Sequence, residues 1–187
     1  MATQLPPGQY VTEKWPVLHS GGIPRFEPAR WDFRVHGEVE EPLRYSYEEF
    51  MVLPTVTVTC DIHCVTAWSK FGVTFEGVAV ATMLGKAKVK PTAQFAMIHA
   101  EQGYETNVPL STLLAPDALF AYRADGAPLA PEHGWPLRLV VPRLYFWKSA
   151  KWVRSVELIP RDRPGFWERN GYHLHGDPWK EERYSDS

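Results

Sequence analysis

The sequence predicts an α+β fold in which mixed or antiparallel strands dominate and the few helices are short. The length of 187 residues fits one domain with a single hydrophobic core. The 17 prolines are spread along the chain, which limits long helices and favours short strands joined by turns. Hydrophobic residues make up 44% and charged residues 22%, shares typical of a folded globular protein, so intrinsic disorder is excluded.

Residues 1–30 are predicted to form an extended N-terminal arm, because they are rich in turn-forming residues and show no apolar periodicity. These turn-forming residues are Pro6, Pro7, Pro16, Gly21, Gly22, Pro24 and Pro28. We expect the arm to pack on one domain of residues 31–187, which includes a docked C-terminal tail.

The domain is predicted to begin with a strand and a short helix. Residues 31–37 alternate large apolar with polar side chains and stop at a glycine, as in a half-buried strand. Residues 46–53 start at the N-cap residue Ser46, carry a glutamate at the third helical position and end before Pro54. This pattern is typical of a short capped helix.

Residues 55–60 are predicted to form the next strand, since threonine alternates strictly with apolar residues. Because side chains of a strand alternate between its two faces, Val56, Val58 and Cys60 should face inward together. The strand then leads the chain to Cys64.

The remaining elements are one helix and several strands. Residues 78–87 fit a short helix, and residues 94–99 form a mostly apolar strand whose hairpin partner is residues 104–108. Three further strands, separated by turn sequences, are predicted at residues 119–122, 137–141 and 152–159.

Charge and apolar patterning exclude several classes of partner. The 20 basic and 22 acidic residues give a net charge of -2, so general attraction to nucleic acid or an anionic membrane is not expected. No apolar run approaches the length of a membrane helix, and the N-terminus lacks a signal-peptide pattern. We therefore expect a cytoplasmic protein that binds neither nucleic acid nor membrane.

Two thiols, a carboxylate and an imidazole lie within five residues at the end of the strand predicted at residues 55–60. They belong to Cys60, Asp61, His63 and Cys64. Loops that follow strands often carry sites. One interpretation is that both cysteines are small buried apolar residues and that His63 is an ordinary buried histidine. Another is a zinc-dependent hydrolase in which Cys60, His63 and Cys64 bind the metal.

A second segment, residues 138–154, combines a strand, Pro142, aromatic residues and the run Lys148-Ser149-Ala150-Lys151. It resembles the molybdopterin-binding domain of the sulfite oxidase superfamily, in which such a run holds the pterin cofactor. The segment around Cys64 resembles the cysteine loop of that superfamily, and residues 165–184 resemble the C-terminus of its short stand-alone bacterial members. The resemblance covers residues 31–184 and implies a single sulfite-oxidase-type molybdopterin-binding domain.

The resemblance also implies a set of site residues. Cys64 would be the catalytic residue and the molybdenum ligand, since a soft thiolate suits a metal that is already bound by the two sulfurs of a pterin dithiolene. Arg138, Ser149 and Lys151 would donate to the pterin and its phosphate, with Arg143 and Lys148 as weaker candidates. The full predicted cofactor-binding set is His63, Cys64, His133, Arg138, Ser149, Ala150 and Lys151.

The implied function is that of a molybdenum-cofactor-dependent oxidoreductase moving an oxygen atom to or from a small substrate of sulfite, sulfoxide or N-oxide type. No haem, flavin or iron-sulfur motif is seen, so an external electron-transfer partner is expected. A cofactor-free binding module on the same fold is the non-enzymatic alternative. His99 is expected either near the metal pocket or in a turn, and His173 and His175 either chelate a metal or belong to the docked tail.

Overall fold

Two β-sheets organise residues 4–187, the part of the chain that this computed structural model describes. The first sheet contains β1 (Tyr10–Val11), β4 (Val56–His63), β5 (Trp68–Ala79), β8 (Leu119–Ala124), β9 (Ala127–Pro128) and β10 (Arg138–Val140). The second sheet contains β2 (Asp32–Gly37), β3 (Leu43–Ser46), β6 (Phe95–Ala100), β7 (Glu105–Pro109) and β11 (Val153–Ile159). The α-helices are α1 (Tyr47–Met51), α2 (Val80–Ala87), α3 (Leu110–Leu113) and α4 (Phe166–Arg169). Short 3-10 turns lie at Pro28–Arg30, Glu101–Gly103, Pro131–His133, Phe146–Lys148 and Pro178–Lys180.

Both sheets are mixed. In the first sheet the order β1-β5-β8-β10 is extended by β4, which pairs with β5, and by β9, which pairs with β8. The second sheet has the order β3-β2-β11-β6-β7. Only the pairs β1 with β5 and β11 with β2 are parallel within the described strands, and the others are antiparallel. The predicted α+β class with mixed sheets and few short helices is confirmed.

The start of α1 has the predicted capping geometry. The Ser46 hydroxyl accepts a hydrogen bond from the backbone N–H of Glu49 at 3.2 Å, and the Glu49 carboxylate accepts one from the backbone N–H of Ser46 at 2.7 Å. These two bonds satisfy donors that a helix start leaves unpaired.

Four strands, β1, β3, β5 and β9, were not predicted, and α2 begins two residues later than expected. Alternation in β5 is obscured by Gly72 and Gly77, since glycine is a weak strand former. Gly77 has a packing reason to be there, because a Cβ atom at this position would lie 1.9 Å from the backbone oxygen of Phe120 on β8. The close approach of the β5 and β8 backbones therefore requires glycine at position 77.

The strand predicted at residues 55–60 forms, but it continues to His63 with a change of register between Cys60 and Ile62. Thr57 and Thr59 are exposed, while Val56, Val58 and Cys60 pack against a buried cluster, as the alternation predicted. Because β4 ends at His63 and its antiparallel partner β5 begins at Trp68, residues 64–67 form the turn of a hairpin. We call this turn the cysteine loop.

The segment from residue 4 to residue 30 contains little regular structure, with β1 and one 3-10 turn. Residues 1–3 of the predicted arm lie outside the described residues. The C-terminal segment folds back on the domain: Tyr145 donates its backbone N–H to the carbonyl of Gly176 at 2.8 Å, and the ring of Tyr172 lies 4.9 Å from that of Trp147. Over residues 4–187, the structure has no helix of the length and apolar character needed to cross a bilayer.

Candidate active site

A cavity of about 420 Å³ lies where three parts of the chain meet. They are the cysteine loop, the segment of residues 138–154, which we call the basic run, and the N-terminal segment of residues 4–30. The cysteine loop and the start of β5 contribute Cys64, Val65, Thr66 and Trp68. The basic run contributes Arg138, Phe146, Trp147, Ser149, Ala150, Lys151 and Trp152, and His133 lies beside them. The N-terminal segment contributes Trp15, Pro16, Leu18, His19, Ser20 and Gly21. The volume is in the range of small-molecule and cofactor sites.

The hairpin turn holds Cys64 in the cavity wall. Its backbone N–H donates to the carbonyl of Trp68 at 2.9 Å, and its carbonyl accepts from the N–H of Ala67 at 3.0 Å. In this tight turn Ala67 has a φ of 77°. The sulfur is 3.1 Å from the hydroxyl of Thr66. Burial raises the pKa of the Cys64 thiol, so the free thiol is protonated at neutral pH, whereas a bound metal would favour the thiolate.

Arg138 lies under the cavity and is 1% exposed. Its guanidinium donates to the carbonyls of His133 at 2.8 Å and Ser149 at 2.7 Å, and it lies 4.1 Å from the centre of the Phe146 ring. Burial lowers the pKa of Arg138 to about 9, which leaves it charged at neutral pH. No carboxylate is bonded to Arg138 within the described chain, so its charge is available to an anion in the cavity.

Lys151 provides the second cation. Its Nζ donates to the carbonyl of Leu18 at 2.9 Å and to that of Glu132 at 2.7 Å. Burial, together with the nearby charge of Arg138, lowers the pKa of Lys151 to about 7. An ammonium group has three N–H donors, so one remains for a ligand.

Two ring nitrogens at the cavity are buried and have no hydrogen-bond partner among residues 4–187: His133 Nδ1 and Trp68 Nε1. The ring of His133 stacks on Trp15 with centroids 4.0 Å apart. Burial and the adjacent Arg138 and Lys151 lower the pKa of His133 to about 4, so this imidazole is neutral at pH 7. Buried polar atoms normally have partners, and a polar heterocyclic cofactor would supply them.

Ser149 and Ala150 also line the cavity. The Ser149 hydroxyl accepts from the backbone N–H of Val141 at 3.0 Å, which leaves its O–H free to donate. The predicted residues Cys64, His133, Arg138, Ser149, Ala150 and Lys151 therefore surround one cavity. A soft thiol, two cations, a hydroxyl and two unpaired ring nitrogens form a donor set that fits a metal-bearing anionic pterin.

His63 does not join them, contrary to the expectation. It lies on β4, where its Nδ1 is 2.7 Å from the hydroxyl of Ser69 and its ring faces Trp179. No residue of β4 lines the cavity, and the first lining residue after this strand is Cys64.

Three further candidates are bound elsewhere. Lys148 is paired with Glu168, and Arg143 with Asp117. His99, expected near the metal pocket or in a turn, lies on β6 with its Nε2 2.8 Å from Glu157.

The zinc interpretation fails on geometry, because Cys60, His63 and Cys64 do not converge. Among residues 4–187, no group of three or more His, Cys, Asp or Glu side chains could share a metal ion. Both cysteines are free, and burial raises the pKa of Cys60 to about 12. His173 and His175 instead lie beside the carboxylate of Glu182, at 3.5 Å and 2.7 Å.

The contribution of the N-terminal segment to the cavity was not predicted from the sequence. Trp15 stacks on His133, and the Leu18 carbonyl binds Lys151. The prolines around them predict an extended chain, but no local pattern shows which surface that chain covers.

Comparisons with known proteins identify the class. The sequence model of the family described as "Oxidoreductase molybdopterin binding domain" matches residues 20–167. The chain therefore belongs to this family of molybdopterin-binding oxidoreductases, and the predicted oxidoreductase class and molybdenum cofactor are confirmed.

Relatives of several kinds share this domain. The chain is 46% identical over 183 residues to the "Uncharacterized oxidoreductase YuiH" of Bacillus subtilis, covering 97% of this chain and 92% of that protein. It is 28% identical over 162 residues to the protein-methionine-sulfoxide reductase catalytic subunit MsrP of Gluconobacter oxydans, covering 77% and 52%. The NADH nitrate reductase of Ulva prolifera is 27% identical over 191 residues, but the chain spans only 22% of its length. The solved sulfane dehydrogenase SoxCD of Paracoccus pantotrophus has the same fold, with a TM-score of 0.71 and 23% identity over 82% of this chain and 43% of that one.

Proposed function

We propose that this oxidoreductase transfers an oxygen atom to or from a small substrate of sulfite, sulfoxide or N-oxide type, with molybdenum bound by Cys64. The observation that carries the proposal is the presence of Cys64 in the wall of the same cavity as Arg138 and Lys151. When bound, the cofactor would supply the two-electron chemistry, and the protein would supply ligation and orientation.

Each cavity residue then has a role that follows from its chemistry. Cys64 would supply a thiolate to the metal, and the neighbouring Thr66 hydroxyl would stabilise that charge. Arg138 and Lys151 would bind the anionic part of the cofactor. His133 and Trp68 would hydrogen-bond polar atoms of the cofactor or substrate, since their ring nitrogens lack partners in the described chain.

Electrons would pass to or from an external protein. The printed name of one relative supports this part of the proposal, since MsrP of Gluconobacter oxydans is named as a "catalytic subunit".

The test is cofactor analysis followed by assays with artificial electron carriers. The chain is expressed in a host that makes the cofactor, and molybdenum and released oxidised pterin are measured per chain. Turnover is then assayed with a reduced viologen plus a sulfoxide or N-oxide, and with sulfite plus ferricyanide. Cys64→Ser is the test variant and Cys60→Ser is the matched control.

We expect about one molybdenum and one pterin per chain, and turnover in one of the two assay directions. Cys64→Ser should lose this turnover, whereas Cys60→Ser should keep it. A wild-type chain that carries cofactor yet is inactive in both directions would contradict oxygen-atom transfer. A Cys64→Ser chain with full molybdenum content and full activity would contradict ligation by Cys64. Absence of both metal and pterin would favour the cofactor-free binding module.

A further inference from the structure

Gln9, in the N-terminal segment, is bonded to the cysteine loop. Its side-chain Nε2 lies 3.1 Å from the carbonyl of Cys64 and 2.9 Å from the carbonyl of Trp68, and donates to both. The hydroxyl of Ser69 is a third neighbour, at 3.1 Å. One amide group therefore bridges the two ends of the loop that holds Cys64.

Arg183, in the C-terminal tail, is bonded to the same loop and to Gln9. Its Nη1 donates to the carbonyl of Val65 at 2.7 Å, and its Nη2 donates to the Gln9 Oε1 at 2.7 Å. Its side chain is 12% exposed and lies over the ring of Tyr145, with 5.1 Å between guanidinium and ring centre. A largely buried guanidinium that uses both of its terminal nitrogens in this way has little freedom to move.

The loop needs such support, because its own backbone is not in a relaxed conformation. Ala67 has a φ of 77°, a region that costs energy for any residue other than glycine. The N–H of Tyr10 donates to the carbonyl of Ala67 at 2.8 Å, so the N-terminal segment is bonded to this residue as well.

These supports come from outside the part of the chain that the family model describes. That match covers residues 20–167, whereas Gln9 and Arg183 lie before and after it. The two are 174 positions apart in sequence and meet beside the cysteine loop.

We propose that Gln9 and Arg183 are positioning residues that together hold the cysteine loop, and thus the Cys64 sulfur, in the conformation that binds the cofactor metal. The proposal rests on the proposed role of Cys64. Arg183 orients the Gln9 amide by binding its oxygen, and the opposite end of that amide then binds the Cys64 and Trp68 carbonyls.

The sharpest variant is Gln9→Glu. A carboxylate keeps the acceptor for Arg183 but loses both N–H donors and places negative charge against two carbonyl oxygens. Arg183→Ala and Arg183→Lys remove or reduce the second support. Gln94→Glu and Arg161→Ala are the matched controls, since both residues are exposed and their side chains make no hydrogen bond or ion pair in the described part of the chain.

The first readout is the alkylation rate of each cysteine by iodoacetamide in the full-length chain made without cofactor, resolved by peptide mass spectrometry. The ratio of the Cys64 rate to the Cys60 rate is the decisive quantity, because global unfolding exposes both thiols together. We expect this ratio to rise about tenfold in Gln9→Glu and Arg183→Ala, less in Arg183→Lys, and not at all in the controls.

The second readout is the chain loaded with cofactor, in which Gln9→Glu should lower the molybdenum content and alter the Mo(V) paramagnetic resonance signal. An unchanged alkylation ratio in Gln9→Glu would overturn the proposal, as would a rise of both cysteine rates in step. If wild-type protein holds no molybdenum, the proposed function fails, while the alkylation ratio still decides whether Gln9 and Arg183 hold the loop.

Discussion

The Nζ of Lys148 lies 2.7 Å from the Oε1 of Glu168, and neither side chain is more than 1% exposed. Lys148 also donates to the side-chain oxygen of Asn107 at 2.8 Å, and Glu168 accepts from Trp147 Nε1 and Thr106 Oγ1, both at 2.8 Å. Lys148 is therefore part of a buried polar network that connects the basic run to α4. Its charge is already matched by Glu168, so Lys148 offers no free charge to an anion in the cavity, whose described lining does not include it.

Replacing Lys148 by Ala should lower the free energy of unfolding by ~3–5 kcal/mol, because it leaves the Glu168 carboxylate buried without its cation. Urea unfolding measures the change. Arg143→Ala is the control, since the pair that Arg143 forms with Asp117 is exposed and should contribute ~1 kcal/mol or less. Loss of cofactor from Lys148→Ala at unchanged stability would show instead that Lys148 binds the cofactor.

Retention of the cofactor should weaken as the pH rises above about 7, the pKa of Lys151. The neutral amine predominates above this pH, whereas a bound anion favours the ammonium form, so binding takes up a proton. Pterin retained after dialysis at about pH 6 and about pH 8.5 measures the effect. Lys151→Arg should hold a cation at both pH values and abolish the difference, while Lys151→Met should weaken binding at both. An equal pH dependence in wild type and Lys151→Arg would exclude Lys151 as its source.

Mutation of Cys60 should affect stability, whereas mutation of Cys64 should affect metal binding. Cys60→Ala should cost about 1 kcal/mol of stability and keep molybdenum, because its thiol is partly buried against apolar residues and stays protonated. Cys64→Ala should lose molybdenum with little change in melting temperature. Metal analysis and thermal unfolding of both variants separate these outcomes, and loss of metal from both would mean that both sulfurs bind it.

Two glycines should respond in opposite ways to alanine. Gly77→Ala should destabilise the protein by about 3 kcal/mol or more, since the new Cβ would overlap the Phe120 carbonyl and force β5 away from β8. Gly85→Ala should stabilise it by up to about 1 kcal/mol, because Gly85 lies in α2 and a Cβ there would meet no atom of the described chain within 4 Å. Chemical denaturation of both variants is the test, and a harmless Gly77→Ala would show that the two strands can separate at low cost.

Several features followed from the sequence because they depend on neighbouring residues alone. The capping box of α1 is encoded by Ser46 and Glu49, three positions apart, and the facing of Val56, Val58 and Cys60 by the two-residue period of a strand. The fold class followed from residue patterns, whereas the cofactor followed from the family resemblance alone.

Only the tertiary structure decided which of the candidate side chains share one cavity. Lys148 and Lys151 belong to the same basic run, yet the 3-10 turn at Phe146–Lys148 buries one against Glu168 while the other reaches the cavity. The approach of Gln9 to Arg183 likewise has no local signal. Sequence periodicity reflects the local backbone preferences of a segment. It does not show which distant surface that segment will pack against, because such contacts form only when the whole chain folds.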